Sequence, residues 1–540
     1  MKRKNPRTEL WRRLVLPIGL CLLGAFCRGQ KPPRNVVLIT LDTQRADYLN
    51  CYAPGSARTP NLDRLAERSL LFKDCTTLIP ITLPSHASVF FSEPPHTIKN
   101  FVNGQPVRPR SRRPLLAEIF KKRDFATAAF VSLGVLGKRF GLAGGFDVYD
   151  DAFPRDRWYL HAEEVNRRAF PWLEENHDRP FFLWLHYSDP HDPYAPPDMP
   201  PDMKVSFNGR LLDDTACLSK YLTHVFDVDL KTGRNRFLLE IQSPHYPNNF
   251  QARLDLLEFD PSADAPGLKI DFPSGWFIRR ADNIYFLKPQ AVLDVVNTGP
   301  PRPFRLTLRG KLILPPDAVP SYYRREVEYM DEHLGRLFGK LEELGRSKDT
   351  ALVVFGDHGE GLGEFLSPYG DRHIGHIHYL YEQYMKVPLL IHVPGRPSAR
   401  GVRSEPASLL DIAPTLADIM RFRRPSFHQG RNLMDRGQAS PDVLFQATYK
   451  PEAAWDKFAA RRPPWHLIFT PEKGLFELFH VTDDPAEQKN VLEREGLRNE
   501  TLELRRRLEE FARDVLRSKG DVRQEKSAEE MLKSLGYIGK

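Results

Sequence analysis

Five short, unbroken apolar runs punctuate this chain: Asn35–Asp42 (NVVLITLD), Phe125–Ser132 (FATAAFVS), Pro180–His186 (PFFLWLH), Thr350–Asp357 (TALVVFGD) and Val387–Val393 (VPLLIHV). An apolar run without polar alternation reads as a strand covered on both faces, the habit of a parallel sheet. Helical patterns lie between the runs. In TPNLDRLAERSLLF, Thr59 stands at an N-cap position and Pro60 at the first helical position, with Leu62, Leu65 and Leu70 on one face. The clearest helix spans Tyr322–Leu344, where Val327, Met330, Leu334, Leu337, Phe338 and Leu341 form one stripe. Strands alternating with helices imply an α/β fold on a mostly parallel sheet flanked by helices.

Two stretches break that rhythm. Between residues 201 and 315, RFLLEIQ, ARLDLLEF, LKIDF, GWFIRR, NIYFL, AVLDVV and FRLTLRGKLIL are short strand-like runs separated by turn residues. They predict an inserted all-β module of sandwich type. After residue 425, WHLIFTP and GLFELFHV read as antiparallel strands, and NETLELRRRLEEFARDVL as a charged helix. The expected organisation is a leader over 1–30, an α/β domain in two parts (34–200 and 316–425), the β module at 201–315, a small C-terminal α+β subdomain at 426–500 and a helical tail at 501–540. The β module enters just after DPHDPYAPP, so it is expected to overhang whatever pocket the α/β domain forms.

The net charge of +8 is concentrated at the start, where Lys2, Arg3, Lys4, Arg7, Arg12 and Arg13 face only Glu9. The rest is mildly basic and implies no nucleic-acid partner. The apolar run Leu14–Phe26 that follows has the length of a secretion signal core. Export to the periplasm, cell envelope or exterior is the expectation, with an uncleaved anchor and peripheral membrane attachment as its rival. Phe26 is bulky for a lipidation site at Cys27. Five cysteines, at 21, 27, 51, 75 and 217, imply no disulfide framework. Cys51 and Cys75 are either bridged or buried free thiols.

In an open α/β sheet, ligands bind beyond the carboxyl ends of the strands. Asp42 ends the first strand, Asp357 ends another, and His358 follows directly. Two acids and a histidine from separate strand tips suit one divalent metal, although Asp and His also open loops for local reasons. Glycines in FGDHGEGLGE allow close backbone approach to a ligand. In TLIPITLPSHAS, Thr82 falls near a helix start, where amides and the dipole favour an anion. A hydroxyl there beside a metal could attack phosphorus or sulfur; alternatively Thr82 and Ser85 simply cap the helix.

The blocks NVVLITLDTQRADYLNCY, TPNLDRLAERS, TLPSHASVFF, DPHDPYAPP, DEHLGRL, VVFGDHGEGLGE, GHIHYLYEQYMKVPLLIHVPG, SLLDIAPTLADIM and ELFHVTDDPAEQKNV together resemble the sulfatase family of the alkaline phosphatase superfamily. The resemblance implies Asp42, Asp357, His358 and Thr82 around one divalent ion, Ca2+ or Mn2+/Zn2+. It places Thr82 as nucleophile, His191 against the substrate anion or leaving group, and His376 beside that anion. Lys138 or Arg139 lies near the family's second active-site lysine; a solvated basic pair is the alternative.

Several departures matter. Thr82 cannot become the formylglycine aldehyde made from Cys or Ser in the family's Cys/Ser-x-Pro-Ser-Arg motif, and His86 stands for its arginine. Thr43 replaces a second aspartate, and Asp–His replaces Asp–Asn at 357–358. These changes lean toward phosphoryl-transfer branches. The expected substrate is a sulfate or phosphate ester, with glycan- or lipid-linked esters both open. Rival readings are an envelope phospho-headgroup transferase and an inactive glycan-binding homologue. His373 and His378 are candidates for a second metal. His186 and His333 read as core residues, and Asp331 as a helix-surface or capping carboxylate.

Overall fold

A computed structural model describes residues 31–532 apart from 108–112, 155–156, 198–202, 217, 219–222, 242–250, 280–283, 315, 367–371, 451–452, 493–498, 521, 523, 525–527 and 529–530. The leader expected over 1–30 lies outside the described residues. The main sheet has eight strands: β1 (Asn35–Leu41), β2 (Leu70–Phe72), β3 (Ala126–Phe130), β4 (Val148–Asp150), β5 (Phe181–Tyr187), β6 (Thr350–Gly356), β7 (Leu389–His392) and β8 (Gly401–Arg403). Their order is β8–β2–β7–β6–β1–β5–β3–β4. Pairing is parallel except where β7 meets β6 and β2. All five apolar runs are strands of this sheet, and β1, β5 and β6 are buried at every residue.

Alternate β1 side chains enter different cores. Val36 and Leu38 pack with Leu83, Ala87, Val89, Phe90 and Phe91 of one helix on one face. Val37, Ile39 and Leu41 pack on the other face with the stripe Val327, Met330, Leu334, Leu337 and Leu341. Four helices matter here: α1 (Pro60–Ala66), α2 (Thr82–Phe91), α3 (Ala162–Asn176) and α4 (Val319–Glu343). The result is a helix–sheet–helix sandwich around a mixed sheet.

The start of α1 departs from expectation. Thr59 occupies the N-cap position but makes no side-chain cap; its hydroxyl lies 3.3 Å from Asp63 Oδ1. Asp331 of α4 caps α1 instead, accepting from the amides of Asn61 at 3.0 Å and Leu62 at 2.8 Å. A long helix thereby satisfies the orphan amides of a short one.

The β module is one eight-stranded sheet rather than two stacked sheets. Its hub is the long strand Ile284–Asn297, which pairs with Gly233–Ile241, Gln251–Asp260 and Leu268–Arg279. The rings of Phe237 and Phe304 come within 6.2 Å although their strands are not neighbours, so the sheet rolls around its own core. Its last strand, Arg302–Ile313, carries Lys311, whose ammonium donates to Asp192 Oδ2 at 2.7 Å. Cys51 and Cys75 are free thiols, and burial pushes the Cys51 thiol up to about 12.

Leu444–Thr448, Lys457–Arg462, Trp465–Thr470 and Leu475–His480 form a four-stranded antiparallel sheet, followed by α5 (Asn499–Lys519). Arg461 fastens this sheet to the α/β domain by pairing with Asp74 and Glu382, each at 2.6 Å. Replacing one member of a buried charge group strands the others without compensation. Arg461→Met is therefore expected to cost about 3 kcal/mol in denaturant unfolding. It should also make the C-terminal sheet the first region cut in limited proteolysis.

Candidate active site

Parallel pairing of β1 with β6 ends at Leu41 opposite Gly356, and pairing of β1 with β5 sets Thr40 opposite His186. Asp42 and Asp357 therefore leave the sheet side by side at its carboxyl edge, with His186 on the adjoining strand. Both acids are fully buried. Asp357 Oδ1 accepts from the amides of Thr43 at 3.1 Å and His358 at 2.8 Å. Asp42 Oδ2 meets His186 Nε2 at 3.0 Å, and His186 Nδ1 meets Ser132 Oγ at 2.8 Å. Asp42 Oδ1 and Asp357 Oδ2 have no hydrogen-bond partner. Burial pushes both carboxyls well above their usual range. Repulsion from Glu360 adds to this at Asp42, and repulsion from Asp42 adds to it at Asp357.

The loop after β1 is held from α4. Tyr323 donates its hydroxyl to Thr43 O at 2.7 Å and accepts from Arg45 N at 2.9 Å. Thr43 sits at φ +54°, a left-handed conformation costly for a β-branched residue, and its hydroxyl donates to Asp42 O at 2.7 Å. Its side chain thus braces the loop where the family resemblance expects another acid.

Helix α2 begins at Thr82, which is fully buried, and Ile81 supplies no side-chain cap. Asn103 Oδ1 accepts from the Leu83 amide at 2.9 Å. Ser85 does not cap; its hydroxyl donates to Asp357 O at 2.8 Å and locks the first turn of α2 to the tip of β6. Thr82 Oγ1 consequently lies 3.2 Å from His358 Nε2. His358 Nδ1 is 3.0 Å from the Gly359 carbonyl, which can only accept. The proton therefore sits on Nδ1, and the Nε2 lone pair faces the site and the Thr82 hydroxyl. Burial, reinforced by His376, holds the His358 ring well below the ordinary histidine range.

One ligand atom from each of Asp42, Asp357 and His358 lies within 4.8 Å of the others, the only such group among the described residues. Two buried acids with one orphaned oxygen apiece, plus an imidazole lone pair, fit a divalent cation. Second-metal placement on His373 and His378 finds no such group; His373 Nδ1 meets Tyr384 Oη at 2.9 Å.

The remaining histidines line the same space. The His376 ring lies 4.5 Å from that of His358 and 5.1 Å from that of His191. His191 Nδ1 donates to the Asp192 carbonyl at 2.6 Å, and Asp192 is the residue held by Lys311. His86 is fully buried, with Nδ1 donating to Thr82 O at 2.7 Å and lying 3.7 Å from Asp357 Oδ2. Burial depresses its basicity strongly, so it supplies no permanent charge where the motif has arginine.

Lys138 and Arg139 make their contacts elsewhere. Lys138 is 69% exposed and 3.7 Å from Asp151; Arg139 is exposed, lies over the Phe140 ring and donates to the Met531 sulfur. The short 3-10 turn Lys138–Phe140 keeps both chains on the surface while burying Phe140.

The glycines also serve another purpose than expected. A Cβ on Gly359 would stand 2.0 Å from Gln383 O, so that residue permits chain packing rather than ligand approach.

Sequence reasoning passed over Glu360, whose Oε2 lies 3.1 Å from His376 Nδ1, together with Ser132, Asn103 and Tyr323. It read His186 as a core residue, and it is buried and bonded as such, but one of its partners is Asp42. Only the strand register, which seats His186 beside the acid-bearing strand, could have signalled that.

A helix that starts at a buried threonine set against two strand-tip acids fits a hydrolase scaffold of the alkaline phosphatase superfamily. A family model described as Sulfatase matches residues 34–422, and one described as N-sulphoglucosamine sulphohydrolase, C-terminal, matches residues 373–514. The chain belongs to the sulfatase family. It is 22% identical to an N-acetylglucosamine-6-O-sulfatase of Bacteroides thetaiotaomicron, covering 94% of this chain and 91% of that one. It is 26% identical to iduronate 2-sulfatase of Homo sapiens, covering 81% and 72%. Among solved structures, phosphonate monoester hydrolase of Agrobacterium radiobacter superposes with a TM-score of 0.58 at 17% identity, covering 90% of this chain and 96% of that one.

Because His186 and Ser132 orient Asp42, they are expected to tune metal affinity. Loss of such an outer partner weakens binding about 10–100-fold. His186→Ala should show that loss in chelator-competition titrations, and Ser132→Ala a smaller one.

Proposed function

We propose that this chain is an exported, metal-dependent hydrolase that cleaves a sulfate or phosphate ester with Thr82 as nucleophile and no formylglycine. The observation that carries this reading is the Thr82 hydroxyl, 3.2 Å from His358 Nε2 and so on the metal-facing side of the acid pair. Asp42, Asp357 and His358 would hold the cation, and Thr82 would complete its surroundings. An imidazole among the donors favours Mn2+ or Zn2+ over Ca2+. When bound, the ion polarises the ester oxygens and lowers the pKa of the hydroxyl.

Thr82 Oγ attacks sulfur or phosphorus, and the bond from that atom to the alcohol oxygen breaks. Thr82 gives up its hydroxyl proton to solvent before the attack, and His191, as the imidazolium with Nδ1–H anchored on the Asp192 carbonyl, delivers its Nε2 proton to the departing alcohol; the neutral ring then takes a proton from the water that attacks next. Threonine carries a single oxygen on its β-carbon, so the covalent ester cannot collapse to an aldehyde. Water must attack sulfur or phosphorus to regenerate the hydroxyl. Relatives acting on sulfated sugars and a structural neighbour acting on phosphonate esters support an ester substrate of either class. Export rests on the basic, then apolar, stretch ending at Phe26.

Thr82→Ala should lower turnover at least 10³-fold on a panel of aryl sulfate, phosphomonoester, phosphodiester and phosphonate esters, while Thr82→Ser keeps measurable activity. Full activity in the alanine variant would remove Thr82 from the chemistry. Chelation should abolish turnover and metal restore it, and intact-mass analysis should show an unmodified residue 82.

A further inference from the structure

Beside His191 lies a small cavity that the ester chemistry above does not use. Leu133, Tyr159, Ser188, Asp189, His191 and Glu326 are among its walls, and its open space of about 10 Å³ has room for one water-sized group. Two of these walls are acids: Asp189 is 5% exposed, and Glu326 of α4 is 2% exposed. Each spends one carboxylate oxygen on the backbone. Asp189 Oδ1 accepts from the Ala162 amide at 3.0 Å, and Glu326 Oε1 from the Ala195 amide at 2.6 Å. The other oxygen of each, Asp189 Oδ2 and Glu326 Oε2, is buried with no hydrogen-bond partner. Among the described residues neither acid pairs with a lysine or arginine; His161 Nδ1 stands 3.6 Å from Asp189 Oδ1. The cations nearby serve other acids, Arg157 pairing with Glu164 and Lys311 with Asp192. Burial pushes the Glu326 carboxyl well above its usual range, and repulsion from Asp189 adds to it.

Two orphaned carboxylate oxygens on one cavity call for a cation that donates hydrogen bonds. A metal ion does not fit: among the described residues only Asp42, Asp357 and His358 bring three such ligand atoms within 4.8 Å of one another. A primary ammonium does fit. It is about the size of a water, carries three N–H donors for separate acceptors, and sits well against an aromatic wall such as Tyr159. Resting on the ester-hydrolase reading above, we propose that this cavity is a cation subsite, with Asp189 and Glu326 holding the primary ammonium of the substrate's alcohol half. The substrate is then an ester of an alcohol that carries a free amine. His191 joins the two spaces, since it walls the cavity while its ring lies 5.1 Å from that of His376 in the cleft. An alcohol that takes its proton from His191 thus leaves with its amine beside the two acids. A quaternary ammonium has no N–H to give them, and its three methyl groups exceed the space.

The test titrates the full chain with ethanolamine, ethanol and choline by ligand-observed NMR, at about pH 8 where a primary amine keeps its proton. Ethanolamine should bind about tenfold or more tightly than either of the others, the ratio that hydrogen bonds to charged groups supply. Glu326→Gln and Asp189→Asn each keep the backbone bond at the other oxygen. Each should raise the ethanolamine Kd about tenfold and leave the choline and ethanol values in place. If a melting scan shows one variant destabilised, the other decides. Ethanolamine binding no tighter than ethanol, as when the cavity holds only water, would overturn the subsite. So would choline binding as tightly as ethanolamine, or an ethanolamine Kd that neither substitution moves. These probes are alcohols, so the titration depends on neither metal nor turnover. Turnover of aminoethyl sulfate over ethyl sulfate, and of the matching phosphate esters, is read separately. Ethanolamine selectivity without turnover of any ester supports the subsite and removes the hydrolase reading. Equal turnover of amine-bearing and plain esters without that selectivity removes the subsite and leaves the hydrolase reading.

Discussion

Two carboxylates that repel one another are held side by side, and the rest of the site follows from that. Asp42 and Asp357 cannot move apart because β1 and β6 are locked in parallel register through seven residue pairs. The strain is distributed. Backbone amides of Thr43 and His358 bond one acid, His186 bonds the other, and Ser85 ties the helix that begins at Thr82 to the tip of β6. Burial keeps water from relaxing the repulsion, so the site is held in a form that a cation stabilises.

The layers of the fold were legible because they rest on local periodicity. Unbroken apolar runs such as Val36–Leu41 can only be doubly covered strands, and the stripe on α4 can only face a core. Local pattern failed where a long-range contact overrides it. The Thr59 cap was displaced by Asp331, 272 positions further along the chain. The single rolled sheet of the β module depends on the length of Ile284–Asn297, which a sequence of short runs conceals.

The candidate site was legible as a grouping of Asp42, Thr82, Asp357 and His358, which the structure brings together at strand and helix ends. It was illegible at Glu360 and His186, because their roles exist only once distant segments meet. Glu360 gains its meaning from His376, which follows the hairpin formed by Gly361–Leu366 and Arg372–Gly375. Lys138 and Arg139 show the converse. A basic pair in the right part of the sequence faces Asp151 and Met531, because a tight turn buries Phe140 and turns its neighbours outward.

The contact between Lys311 and Asp192 ties the inserted sheet to the loop that carries His191. Asp192 holds the ring proton of His191 through its carbonyl and the ammonium of Lys311 through its carboxylate. The inserted sheet and the loop that carries that imidazole are thereby joined through an ion pair.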